Sequence, residues 1–131
     1  MSDVNWLNIL GWNDSQLEDL RFVGYAYIKQ GKYDIALKFF EALVVLNPKS
    51  EYDLQTLGAL YLQIGNNLSA LDFLERAIKV NKDHGPSLLN RAKALFLLGY
   101  KKQGIDQVKL LENHPTEEVA NQAKALALAY R

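Results

Sequence analysis

Histidine is the side chain most often used to move protons or hold metals near neutral pH, and this chain has two, His84 and His114, 30 residues apart. Neither sits in a metal-binding spacing such as His-Glu-x-x-His. There is no cysteine, so thiolate nucleophiles, disulfides, zinc–thiolate sites and iron–sulfur clusters are excluded. Ser15, Ser50, Ser69 and Ser87 fall near expected helix starts, where capping explains a hydroxyl. Gly31 and Gly65 read as hairpin turns, not as a phosphate-binding loop. The carboxylates are scattered. The expectation is therefore a protein without catalytic residues, metal or cofactor, whose chemistry is recognition.

The elements that would position such recognition must come from 131 residues, 49% hydrophobic and 23% charged. That is one domain's worth of chain with enough apolar content for a core. Fifteen basic and fifteen acidic residues balance, which removes the basic excess that nucleic-acid binding requires. The first 65 residues hold five basic and eight acidic side chains, and the rest ten and seven. No run approaches the roughly 20 apolar residues of a membrane span. The start, Met1-Ser2-Asp3-Val4-Asn5-Trp6, lacks the pattern of a signal peptide. A cytoplasmic protein without membrane insertion is expected.

An internal period organises the chain. Gly24, Gly58 and Ala92 are spaced by 34 residues, as are Tyr27, Tyr61 and Leu95. So are Gly31, Gly65 and Gly99; Ala36, Ala70 and Gly104; and Phe40, Leu74 and Val108. Five columns in one register define repeats at 17–50, 51–84 and 85–118. Within each, apolar residues at three-and-four spacing mark two helices broken near Gly31, Gly65 or Gly99. Ser15 with Glu18 reads as a capping box. Gly or Ala in the first helix and Ala or Gly in the second would let each hairpin close tightly. One hairpin cannot bury its apolar side alone, so neighbours must stack.

These residues resemble the tetratricopeptide repeat family over about 102 residues, three periods of 34. Leu57-Gly58-Ala59-Leu60-Tyr61, Gly65, Ala70, Leu74 and Ala77 carry the pattern in the second repeat, and Leu20, Gly24, Tyr27, Gly31, Ala36, Phe40 and Pro48 in the first. The third departs, with Arg91 at an apolar position and Gly104 at an alanine. The resemblance implies an all-α, right-handed solenoid of three helix hairpins. A short N-terminal helix within the 1–14 flank should precede it, and a capping helix over 116–131 should close it. Trp6, Leu7, Ile9, Leu10 and Trp12 either cover the first repeat or make a self-association or partner contact.

The same resemblance places the first helix of each pair on the inner wall. It implies a peptide-binding groove of Arg21, Tyr25, Ile28 and Lys29, then Gln55, Ala59, Leu62 and Gln63, then Leu89, Lys93 and Phe96, with about a third of the wall buried by neighbours. The carboxylate clamp of heat-shock co-chaperones is missing: Tyr25 and Ala59 stand where that clamp has asparagines. More specifically, Leu17-Glu18-Asp19-Leu20, Tyr27 to Tyr33 and Ala36 to Leu46 resemble the type III secretion chaperones with three such repeats. That implies a partner protein, a secreted translocator, or a needle subunit together with a small helical co-chaperone, and a homodimer or heterodimer. The competing expectation is a scaffold or adaptor in another assembly.

Overall fold

The computed structural model describes residues 9–131, and Trp6 and Leu7 lie outside them. Within this span seven helices follow one another with no strand. They are α1 (Asp14–Lys29), α2 (Tyr33–Leu46), α3 (Glu51–Gln63), α4 (Asn67–Val80), α5 (Gly85–Leu97), α6 (Lys101–Leu111) and α7 (Glu117–Tyr130). Successive pairs pack as hairpins, and each pair stacks on the next, as expected of the solenoid.

The turns explain the glycine column. Gly31, Gly65 and Gly99 have φ of +74°, +87° and +89°, a region that other residues enter with difficulty. In each turn the residue after glycine donates its N–H back across the helix end: Lys32 to Tyr27 at 2.9 Å, Asn66 to Tyr61 at 2.9 Å and Tyr100 to Leu95 at 2.8 Å. These are Schellman ends, which satisfy the last carbonyls of α1, α3 and α5.

The start of α1 differs from expectation. The capping box is Asn13 with Gln16, not Ser15 with Glu18. The Gln16 N–H donates to Asn13 Oδ1 and the Asn13 N–H to Gln16 Oε1. Asn13 is in extended backbone and can cap; Ser15 is already inside the helix. Ser50 Oγ accepts from the Asp53 N–H, as a cap should.

Small residues permit the close crossings. A β-carbon on Gly24 would lie 2.7 Å from the Phe40 ring, and one on Gly58 would lie 2.6 Å from Leu74. In the third hairpin the arrangement inverts. Ala92 occupies the first helix, and Gly104 of α6 sits under Phe96, whose ring would be 2.5 Å from an added β-carbon. The glycine that breaks the repeat pattern is thus a seat for an aromatic side chain. Arg91, the other departure, donates to Gln107 Oε1 at 2.9 Å and to Glu75 Oε2 at 3.3 Å, so its charge is partnered where an apolar residue would pack.

Burial is continuous along the stack. Leu17, Phe40, Leu43, Leu54 and Leu57 fill the first part. Ala70, Leu74 and Ala94 link to a last cluster of Leu89, Ala92, Phe96, Val108, Leu111, Val119 and Ala123. Helix α7 closes that cluster with Val119, Ala120 and Ala123, packing on α5 and α6.

Candidate binding groove

A groove of about 950 Å³ opens between α5 and α7. Leu89, Asn90 and Lys93 of α5 line one side; Gln122, Ala125 and Leu126 of α7 line the other. Tyr52 of α3 and the connections holding His84 and His114 close one end. Its surface combines an apolar floor with amides, the Lys93 ammonium and the Asp83 and Glu118 carboxylates, a composition suited to a peptide, whose backbone needs hydrogen bonds and whose side chains need apolar contact.

The closed end is held by His84, the N-cap of α5, only 8% exposed. Its Nδ1 shares a 2.6 Å hydrogen bond with Ser87 Oγ, and the Tyr52 ring meets it edge-on at 5.2 Å. Burial pushes the imidazole below its ordinary pKa, and the Glu51 carboxylate partly opposes that shift. His114 Nδ1 accepts the Thr116 N–H at 3.0 Å, which orients the connection into α7. Gly85 brings the two elements together, since a β-carbon there would lie 3.0 Å from Val119 and 3.3 Å from His114.

The residues expected to form one continuous groove divide. Leu89 and Lys93 line it. Phe96 does not: α7 covers it, and its ring stacks on Tyr130 with centroids 4.3 Å apart. Leu89, though it forms part of the floor, is also mostly covered by α7. Leu62 packs with Ala70, Leu74 and Ala94, and Ile28 packs against the first core cluster, and both are half-buried. Arg21 is committed to Asp53 and Glu18. Tyr25 lies edge-on to Phe40 at 5.1 Å with its hydroxyl 3.4 Å from Thr56 Oγ1. Lys29 and Gln63 are exposed at their helix ends, and Gln55 and Ala59 are half-buried. In the N-terminal flank, Ile9 and Leu10 are exposed and Trp12 is half-buried.

The α7 wall, Gln122, Ala125 and Leu126, was the part that residue spacing missed. Its signal was the run of alanines along 120–129, which reads as a closing helix but also leaves room for a ligand.

Stacked hairpins with left-handed glycines at a 34-residue spacing define a tetratricopeptide-repeat solenoid. The family model for anaphase-promoting complex, cyclosome, subunit 3 matches residues 16–111, and the chain belongs to that family. Anaphase-promoting complex subunit 3 of Schizosaccharomyces pombe is 30% identical over 76 residues, which are 58% of this chain and 11% of that protein. The chain thus spans about a tenth of the length of that relative. In three dimensions it is similar to the type III secretion translocator chaperone SycD of Yersinia enterocolitica, with a TM-score of 0.85, 20% identity, and 98% and 99% of the two chains covered. It is also similar to PcrH, a Pseudomonas aeruginosa protein solved with the chaperone binding region of PopD, with a TM-score of 0.81, 25% identity and 92% and 94% coverage.

Proposed function

We propose that this chain is a protein-binding module that holds a peptide segment of a partner between α5 and α7, and that the partner is a type III secretion substrate kept soluble in the cytoplasm before export. The observation that carries the reading is the groove of about 950 Å³ with its mixed apolar, amide and charged lining. The likeness to PcrH, solved with a segment of PopD, supports a chaperone role. The module works by binding and not by catalysis, and the exposed Ile9 and Leu10 offer a second contact surface.

A second reading, a scaffold joining subunits of a larger assembly, is favoured by the family match over residues 16–111. The two differ in the persistence of the complex. Affinity capture from native cells with mass spectrometry should recover a secreted protein that leaves on export. Permanent, stoichiometric capture of non-secreted subunits would favour the scaffold. The variant Ala125→Arg, which fills the groove from an exposed position, should lose the partner while keeping its fold. Unchanged binding by a folded Ala125→Arg protein would move the site elsewhere.

A further inference from the structure

The contact between α1 and α3 has an unused counterpart at the open side of α1. Arg21 donates to Asp53 through Nε and Nη2, both at 2.7 Å, and Tyr25, one turn on, reaches Thr56. Asp53 and Leu57 are fully buried and Thr56 nearly so. One period earlier, their places are taken by Asp19, Val23 and Phe22. All three are exposed, Phe22 at 76%. Helix α1 therefore carries the receiving half of an inter-repeat contact: a carboxylate beside a large apolar side chain.

A comparable pair stands on α7, outside the register of the period, in which Ala123 and Ala127 take the places of Arg21 and Tyr25. This helix lies against α5 and α6 as α5 lies against α3 and α4. Beside its buried Val119, Ala120 and Ala123 it exposes Lys124 and, one turn on, Leu128, 66% exposed. A cation followed four residues later by a large apolar group is the arrangement of Arg21 and Tyr25 in α1. The two faces also match in charge and in direction along their helices: Lys124 then Leu128 on one, Asp19 then Phe22 on the other.

We infer that a second copy of this chain stacks head to tail, the outer face of its α7 on the open face of α1, with Lys124 against Asp19 and Leu128 against Phe22. Such a contact joins two different patches, so it leaves a free face at each end and propagates into longer stacks instead of closing as a symmetric pair. The apolar centre supplies the attraction, and the exposed ion pair sets register more than affinity.

Sedimentation velocity tests this. The wild-type chain should grow in mass with concentration beyond the dimer. Phe22→Asp and Leu128→Asp alter exposed side chains, and circular dichroism should show both folded; each alone should be monomeric, with self-association at least tenfold weaker. Mixed in equal amounts, they retain one intact contact between them and should stop at a one-to-one dimer. A wild-type chain that remains monomeric would leave these faces to a different protein and overturn the inference. So would a symmetric wild-type dimer, either folded single variant associating normally, or a mixture that stays monomeric.

Discussion

The Arg21 guanidinium lies in parallel against the Asp53 carboxylate, two hydrogen bonds of 2.7 Å joining α1 to α3 across 32 residues of sequence. Asp53 is fully buried, whereas the Arg21 side chain keeps 17% of its surface exposed and also meets Glu18. The bond to Asp53, aided by both nearby carboxylates, raises the Arg21 pKa above its already high value against the opposing effect of burial. The two halves are unequal to remove. Arg21→Ala strands a buried carboxylate and should cost about 3–5 kcal/mol. Asp53→Asn leaves Arg21 a route to Glu18 and water, and should cost about 1–3 kcal/mol. Urea unfolding of the two variants checks the order.

Gly104→Ala should destabilise the third hairpin. Alanine gains roughly 1 kcal/mol of helix propensity. Its β-carbon, however, would lie 2.5 Å from the Phe96 ring, which is stacked on Tyr130 and has little room to withdraw. Overpacking typically costs about 1–3 kcal/mol, so the net change should be a loss. A raised melting temperature would mean that the ring moves freely.

Acidification should weaken the α3–α5 junction. His84 titrates lower in the fold than in the unfolded chain because its ring is buried. The unfolded chain thus takes up the proton first. The contribution is complete above about pH 6.5 and is lost as pH falls from there through the folded pKa. Thermal melts at pH 8 and pH 5 should show this decline, and it should flatten in His84→Gln. An equal slope in that variant would assign the effect to other groups.

Tyr130→Ala should loosen α7 and, with it, the groove. The stacked pair with Phe96 is worth about 0.5–1.5 kcal/mol beyond its buried area. Partner binding measured by calorimetry should weaken more in this variant than in Lys93→Ala, which removes only an exposed ammonium.

The solenoid was legible because its constraints are local and recur. A left-handed turn selects Gly31, Gly65 and Gly99, and a close crossing selects Gly24 and Gly58. The candidate site was legible only in part. Assigning Phe96 to a free wall used its place within a repeat, but its burial depends on what stacks next. For Phe96 that neighbour is α7, a single helix outside the period. The α1 cap was misplaced by two residues because Ser15 and Asn13 are both competent caps. The choice belongs to the backbone, which turns at Gly11 with φ +68°.

Among the described residues helix α7 touches only α5 and α6, whereas α3 is packed against α2, α4 and α5. Fewer neighbours mean a smaller free energy for local opening, so amide hydrogens of α7 should exchange with solvent well before those of α3. Because α7 is one wall of the groove, each such opening removes the binding site while most of the stack stays intact. A ligand held there binds only the closed form and must slow exchange in α7 selectively. A protease acting on the free chain would then cut first within 117–130, and a bound segment would act as a removable seal over that stretch.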